Sequence, residues 1–217
     1  NASSLTEYEI IQEAMKLGST IFVASGNEAR DNDIHPSYPA CYPNVISIGA
    51  TGSNNGVANF SNYGFCTPLF APGDRIYSTI PLSYGVNTGT SMASPIAAGV
   101  GAMVLSVFPN YTNKQIYHQL RSTGDVINVA HKYKAFKKIN AYNAVTYNNP
   151  DFPDKIIPGA SVSSISLPPF ENFINFFPKN LDLTITNYIG KAENMKVVVR
   201  SVDGYLTSSD FNKEFEL

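Results

Sequence analysis

The sequence predicts an α/β fold in which helices cover a mostly parallel sheet, followed by a β-rich C-terminal module. Two observations predict the sheet. An amphipathic helix leads directly into the apolar run at residues 20–24, and a second continuous apolar run follows at residues 45–50. The module is predicted by a change beyond Tyr147, where alternating and β-branched runs replace the helical patterns. With 43% hydrophobic residues among 217, the chain has enough apolar side chains for a core.

The first helix is predicted by its ends and by its period. Ser4 and Glu7 have the spacing of a capping box, and Gly18 supplies a stop signal. Between them, apolar residues recur at the spacing of one helical face, at Ile10, Ile11, Ala14 and Leu17. This helix is expected to pack one face on the core and to lead into the strand at residues 20–24.

After residue 50 the pattern changes to short strands separated by turns. Residues 54–56 (Asn-Asn-Gly) are typical of a hairpin turn, and residues 71–73 (Ala-Pro-Gly) end the next run. A long helix is predicted at about 90–107, and because small or apolar residues lie on nearly every side, it is expected to be buried all round. Thr112 and Gln115 form a second capping box that opens another helix. A last short helix is predicted at 140–145.

The chain is expected to contain two units. Residues 1–147 form the α/β unit, and Asn and Pro residues at 148–153 are typical of a linker. Residues 148–217 comprise this linker and a β-rich module, with predicted strands at 161–167, 181–186 and 195–202. Because the sequence ends abruptly at Leu217, the module is expected to be incomplete.

Composition excludes several classes of function. Charged residues are 15% of the chain and the net charge is −2, so nothing in this balance indicates binding to nucleic acid, which needs a basic face. No run approaches the roughly 18 apolar residues of a spanning helix, so no membrane span is predicted. No signal peptide is visible and the chain starts with Asn1 rather than Met, so we expect a processed chain or a piece of a longer one.

Two cysteines, Cys41 and Cys66, are compatible with one disulfide or with two buried thiols. Three Asn-x-Ser/Thr sequences occur, at Asn1, Asn59 and Asn110. Together they favour a secreted or lumenal compartment, although such triplets also arise by chance in an Asn-rich chain.

Ser91 lies where a loop enters the predicted long helix. The N–H groups of a first helical turn have no partner within the helix, and the local field favours negative charge. Gly89 and the small side chains after Ser91 allow a carbonyl group to approach closely. These are the conditions that a serine nucleophile needs. Taken alone, Ser91 is more typical of a helix N-cap than of a nucleophile, because Ser and Thr are the commonest caps.

The string Gly-Thr-Ser-Met-Ala-Ser-Pro at 89–95, with its continuation at 97–100, closely resembles the active-site serine signature of the subtilase family. The segment 23–28 resembles the family's strand and loop that bear an oxyanion-binding Asn, here Asn27; without Ser91, Asn27 would be interpreted as a turn residue. One departure is Ile96, where many subtilases have His. The resemblance covers about 1–146, and its other landmarks follow in order at 38–40, 42–50, 60–64 and 70–73.

The resemblance implies a subtilisin-like three-layer sandwich and a serine endopeptidase that hydrolyses peptide bonds through an acyl-enzyme on Ser91. Asn27 and the Ser91 N–H would bind the oxyanion. It implies a disulfide between Cys41 and Cys66, which fall where other subtilases place a charged pair or calcium ligands, so their weak calcium site is expected to be absent. It also implies a roomy cleft for an apolar side chain, lined by small residues, and the substrate-binding candidates are Ser25, Gly26, Gly49, Ala50, Gly89 and Thr90.

Calcium is the cofactor that the sequence leaves open. Glu28, Asp31 and Asp33 form an acidic loop that supplies oxygen ligands of the type calcium prefers. A solvated acidic loop is the favoured interpretation, so no cofactor is predicted firmly.

The rest of a catalytic triad is not found in the sequence. A serine needs a base and the base needs an orienting group, and in subtilases the Asp and His motifs both precede the segment seen here. The chain's three histidines, His35, His118 and His131, lie in unrelated contexts and are predicted to have no catalytic role. Three explanations stay open: a truncated record of a longer enzyme, which is favoured; a cleavage product bound to an N-terminal chain that supplies Asp and His; or a non-catalytic subtilase-like module that binds peptides or partners.

Overall fold

The computed structural model describes residues 3–127, 136–157, 160–166 and 182–187. Its helices are α1 (Leu5–Lys16), α2 (Thr90–Val107), α3 (Asn113–Thr123) and α4 (Ala141–Thr146). Its strands are β1 (Phe22–Ala24), β2 (Ile46–Thr51), β3 (Leu69–Pro72), β4 (Ile76–Ile80), β5 (Ser83–Asn87), β6 (Asp125–Ile127), β7 (Phe136–Lys138), β8 (Ala160–Ser166) and β9 (Asp182–Asn187).

The main sheet is mostly parallel, and the predicted fold class is confirmed. Its strand order is β1-β2-β3-β7-β6. The pairs β1–β2, β2–β3 and β3–β7 are parallel, and only β6 runs antiparallel to its neighbour β7. Strands β4 and β5 form a separate antiparallel hairpin that directly precedes the loop into α2.

The core lies on both faces of this sheet, as expected for a parallel sheet whose strands are continuous apolar runs. Every residue of β2 is buried. Along β3 the side chains alternate, so that Leu69 and Ala71 belong to the large cluster with α2, while Phe70 packs with Phe136 and Ile127 in a second cluster. The sheet therefore holds the start of α2 at a fixed place relative to the ends of β1 and β2.

Helix α1 has the predicted limits, but its start differs from the predicted capping box. The Ser4 hydroxyl accepts a hydrogen bond from the Glu7 N–H, as expected. The second bond of a capping box, from the Ser4 N–H to the Glu7 side chain, does not form. The Ser4 N–H donates instead to the Tyr42 hydroxyl at 2.7 Å. At the other end Gly18 has φ +96°, the left-handed conformation that ends a helix.

Helix α2 spans the predicted residues, but the expectation that it is buried all round is wrong for the described part of the chain. Its buried residues form one stripe that packs on β1, β2 and β3: Thr90, Ala93, Ala97, Val100, Gly101 and Val104. Met103, Leu105 and Val107 on the outer side are exposed. In length and composition α2 resembles a membrane-crossing helix, a property that core helices share.

Helices α3 and α4 begin at side-chain caps that the sequence signals. Thr112 and Gln115 form the complete capping box predicted for α3. The Asn140 side chain caps α4 by accepting a hydrogen bond from the Asn143 N–H. Both helices contact α2 and each other.

The segment predicted to be a linker is bonded to these helices. The Asn148 side chain donates to Gln119 of α3 at 3.0 Å, and the Lys155 ammonium donates to the Tyr142 hydroxyl of α4 at 3.2 Å. Farther along, β8 and β9 pair antiparallel, close to the strands predicted at 161–167 and 181–186. The third predicted strand, at 195–202, lies outside the described residues, and the domain boundary after 147 stays a prediction.

Candidate active site

Ser91 is the second residue of α2 and is exposed. The alternative interpretation of Ser91 as the N-cap is wrong, because Gly89, which has no side chain to cap the helix, occupies the N-cap position. The Thr90 N–H is bound instead by the Asn27 side chain, and no capping side chain occupies the Ser91 N–H. The Gly89 N–H donates to the Gly73 carbonyl at 2.8 Å, which ties the loop before Ser91 to the end of β3.

Asn27 follows β1, and its side chain contacts the start of α2. Its side-chain oxygen accepts two hydrogen bonds from Thr90, at 2.8 Å from the backbone N–H and at 2.9 Å from the hydroxyl. With that oxygen occupied, the amide nitrogen Nδ2 is the group available to another ligand. Asn27 is exposed, so that ligand can come from solvent.

The Nδ2 atom of Asn27 and the N–H of Ser91 border one small space beside Gly89. A Cβ atom built on Gly89 would lie 3.5 Å from Asn27 Nδ2 and 3.7 Å from the Ser91 nitrogen. Because Gly89 has no side chain, this space is open. Two N–H donors that face one open point are the arrangement that stabilises a developing oxyanion.

Asn27 and Ser91 both line a cavity of about 580 Å³. Its lining includes Asn27, Thr90 and Ser91 and also the loop 34–39. The sequence did not predict that the loop 34–39 belongs to the site. The one sequence feature that could have indicated it is the Tyr38-Pro39 pair, which is part of the subtilase landmark at 38–40.

The six predicted substrate-binding residues separate into two groups. Gly26 and Thr90 line the cavity with Asn27 and Ser91. The other four, Ser25, Gly49, Ala50 and Gly89, are buried and do not belong to its lining. At Gly49 a Cβ atom would lie only 2.2 Å from the Phe70 ring, so this glycine makes room for an aromatic core residue. The role of all six in substrate binding stays a prediction.

The carboxylates of the acidic loop accept hydrogen bonds from groups of the protein. The Glu28 carboxylate accepts a hydrogen bond from Asn62 Nδ2, and Asp31 and Asp33 accept hydrogen bonds from the backbone N–H groups of Asp33 and Phe65. Calcium needs six to eight oxygen ligands. Within the described residues no group of three or more His, Cys, Asp or Glu side chains is arranged to hold a metal ion.

Cys41 and Cys66 form the predicted disulfide, and the alternative of two free thiols is wrong. The bridge joins the segment after Tyr38-Pro39 to the loop before β3. It therefore anchors the segment that follows the cavity-lining residues Tyr38 and Pro39.

The histidines lie in three different places. His35 lines the cavity, which its sequence context did not indicate. His118 is 4% exposed on α3, and its pKa is lowered to about 4 because burial, and then the charges of Arg121 and Lys114, disfavour the imidazolium form. His131 lies outside the described residues. In the described part of the chain, no hydrogen bond joins a histidine to Ser91.

Comparison with known proteins gives a consistent result. The profile of the subtilase family matches residues 1–154. Subtilisin NAT of Bacillus subtilis subsp. natto is 40% identical over 116 residues, which are 52% of this chain and 30% of that protein. Thermitase of Thermoactinomyces vulgaris is 37% identical over 140 residues, 64% of this chain and 48% of that protein.

Solved structures agree with the sequence matches. A cold-adapted subtilisin-like serine proteinase aligns with a TM-score of 0.60 and 31% identity, over 65% of this chain and 52% of that one. The chain spans less than half the length of the two curated relatives just named.

Proposed function

Because the chain belongs to the subtilase family, whose profile matches residues 1–154, we propose that it carries the nucleophile half of a serine endopeptidase active site. Ser91 is the nucleophile, and Asn27 and the Ser91 N–H bind the oxyanion. The observation that carries this proposal is the convergence of Asn27 Nδ2 and the Ser91 nitrogen on the open space beside Gly89. The substrates are proteins or peptides.

The reaction proceeds through an acyl-enzyme. The Ser91 Oγ forms a bond to the peptide carbonyl carbon, a base takes the hydroxyl proton, and the carbonyl oxygen becomes the oxyanion between the two donors. When this intermediate collapses, the C–N bond breaks and the base gives its proton to the departing amine. Water then cleaves the ester by the same steps and frees Ser91.

The base and its orienting carboxylate come from polypeptide outside these 217 residues, either an N-terminal segment or a bound second chain. Two surfaces support additional polypeptide packed against this chain. Met103, Leu105 and Val107 on α2 are 45%, 42% and 37% exposed. Strand β1 is at the edge of the sheet and pairs on one side only among the described residues. Apolar helix faces and strand edges of parallel sheets are normally covered.

The cleft accepts an extended substrate between the Asn27 loop and the loop 34–39. Gly26 and Thr90 contribute to the lining, and the small residues Ser25, Gly49, Ala50 and Gly89 allow close packing of the backbone near it. Because Arg30 and His35 also line the cavity, the cleft offers polar contacts besides the room for an apolar side chain. The Cys41–Cys66 disulfide supports a secreted or lumenal location.

The proposal is tested by labelling the intact natural protein with a fluorophosphonate–biotin reagent. Attack by Ser91 forms an O–P bond and releases fluoride, while the base takes the hydroxyl proton. We expect one labelled peptide, the one that contains Ser91. The Ser91→Ala variant loses the label, and Ser106→Ala, at the exposed far end of α2, retains it.

The competing function is a binding or scaffolding module built on an inactive subtilase fold. It predicts that the folded intact protein, with a cooperative thermal transition, is not labelled at Ser91 and still binds peptides or partners. That result would overturn the protease proposal.

A further inference from the structure

A single buried asparagine, Asn62, contacts both sides of the loop that carries Asn27. Asn62 lies in the loop between β2 and β3 and is 2% exposed. Its side-chain oxygen accepts hydrogen bonds from the N–H groups of Glu28 and Arg30, both at 3.0 Å. These two donors fix which end of the amide is oxygen and which is nitrogen.

The nitrogen of the same amide binds the other parts of the loop. Nδ2 lies 2.7 Å from a carboxylate oxygen of Glu28, 3.1 Å from Asn32 Oδ1 and 3.2 Å from the Ser25 carbonyl. The Asn62 backbone N–H donates to the Gly26 carbonyl at 3.0 Å. Asn62 therefore binds residues immediately before Asn27 and immediately after it, while Asn27 itself faces solvent.

The backbone contacts do not depend on this side chain. The Ala29 N–H donates to the Phe60 carbonyl at 2.9 Å, and the Tyr63 N–H donates to the Arg30 carbonyl at 3.0 Å. Loss of the Asn62 amide thus leaves the two loops attached but removes the contacts closest to Asn27. A displacement of a few tenths of an ångström at this point matters, because an oxyanion donor must lie about 2.7–3.1 Å from the oxygen.

We propose that Asn62 is a positioning residue of the oxyanion hole, which holds the turn 25–30 so that Asn27 Nδ2 and the Ser91 N–H face the same point. This inference rests on the proposed function of Ser91 and Asn27. It assigns to Asn62 no contact with the reacting atoms: its effect on the reaction passes entirely through Asn27.

The test is the rate constant for fluorophosphonate labelling of Ser91 in the intact natural protein, because the phosphonylation transition state also places an oxygen in the hole. Loss of one oxyanion donor slows acyl transfer about 100- to 1,000-fold. We expect Asn27→Ala to slow labelling about 100-fold and Asn62→Ala about 10-fold. Asn62→Ser, which retains a polar group and is the safer variant for folding, should slow it about 3-fold.

A double-mutant cycle separates positioning from general damage to the fold. In the Asn27→Ala background, Asn62→Ala should have no further effect on the rate constant, since there is no side-chain donor left to position. Partial unfolding lowers the amount of protein labelled but not the rate constant of the folded fraction. Asn59→Ala, an exposed asparagine of the same loop, is the matched control and should keep the wild-type rate.

Two results would overturn the inference while leaving the proposed function intact. One is wild-type labelling rates in both Asn62 variants. The other is the same fold reduction for Asn62→Ala with and without Asn27. If Ser91 is not labelled in the unaltered protein, the proposed function itself fails, so the two failures are distinguishable.

Discussion

The Asn27 side-chain oxygen accepts both the backbone N–H and the hydroxyl of Thr90, at 2.8 and 2.9 Å. The two residues are 63 positions apart, so the bonds connect the loop after β1 to the start of α2. Thr90 Oγ1 also accepts a weaker bond from the Gly26 N–H at 3.3 Å. Thr90 directly precedes Ser91 and orients the Asn27 amide. The positions of the two oxyanion donors, Asn27 Nδ2 and the Ser91 N–H, therefore depend on each other.

We predict that the Thr90 hydroxyl is needed to orient Asn27, even though the Thr90 backbone N–H donates to the same Asn27 oxygen. Thr90→Val keeps the shape and the N–H but removes the hydroxyl bond to Asn27. We expect the labelling rate of Ser91 to fall about 10-fold, equivalent to about 1.4 kcal/mol. Thr90→Ser keeps the hydroxyl and should stay within about 2-fold of wild type. Equal rates for the Val and Ser variants would show that the backbone bond alone orients Asn27.

Gly26 and Gly18 form a matched pair for testing the packing around the Asn27 loop. Both have positive φ, +112° and +96°. A Cβ atom at Gly26 would lie 2.3 Å from Asn62 Nδ2, whereas a Cβ atom at Gly18 would meet nothing within 4 Å. Gly18→Ala should therefore cost only the backbone strain, about 1 kcal/mol of unfolding free energy, without changing the labelling rate.

Gly26→Ala should both lower the unfolding free energy by about 2–3 kcal/mol and slow labelling of Ser91, because Asn62 must move to admit the methyl group. Urea denaturation and labelling kinetics measure the two effects separately. A Gly26→Ala protein that labels at the wild-type rate would contradict the tight packing of this loop.

Local signals predicted the elements that local interactions form. The limits of α2, the Thr112–Gln115 box and the stop at Gly18 are predicted from patterns within a few residues, and all are present. The Ser4–Glu7 box was predicted with the same rule and formed only in part. The Ser4 N–H donates to the Tyr42 hydroxyl, 38 residues away, rather than to the Glu7 side chain. Local rules do not include such a competitor.

The parts of the site that the sequence did not predict depend on distant contacts. Asn62 bonds to residues 30 to 37 positions away and has no local feature that separates it from a turn residue. Likewise, small residues at Gly49 and Gly89 look equivalent in the sequence. In the fold one makes room for the Phe70 ring and the other leaves the oxyanion space open. Only tertiary packing distinguishes these roles.

The Cys41–Cys66 disulfide should contribute measurably to stability. It closes a separation of 25 residues, for which chain-entropy arguments give about 3.5 kcal/mol. Replacing both cysteines by Ala should lower the Tm of the intact natural protein by about 7–14 °C. Dithiothreitol should lower the Tm of the wild type in the same way and leave that of the double variant unchanged. An unchanged wild-type Tm after demonstrated reduction would contradict this contribution.

Buried His118 should make stability depend on pH between about 4 and 6.5. Its pKa is about 4 in the folded protein, chiefly because of burial, against an ordinary value of 6.5. Between these values the unfolded chain binds a proton that the folded chain does not, so the unfolding free energy falls as pH falls. The contribution of neutral His118 to the unfolding free energy, on the order of 3 kcal/mol, is fully present above pH 6.5 and is lost towards pH 4.

The measurement is a difference, because carboxylates also titrate in this range. Urea denaturation of the wild type and of His118→Gln at several pH values gives the two curves, and their difference should rise from pH 4 to pH 6.5 and then stay constant. Arg121→Gln removes one of the charges that lower the His118 pKa. This variant should therefore narrow the pH window from its acid side. Parallel curves for the wild type and His118→Gln would mean that His118 is protonated equally in the folded and unfolded states.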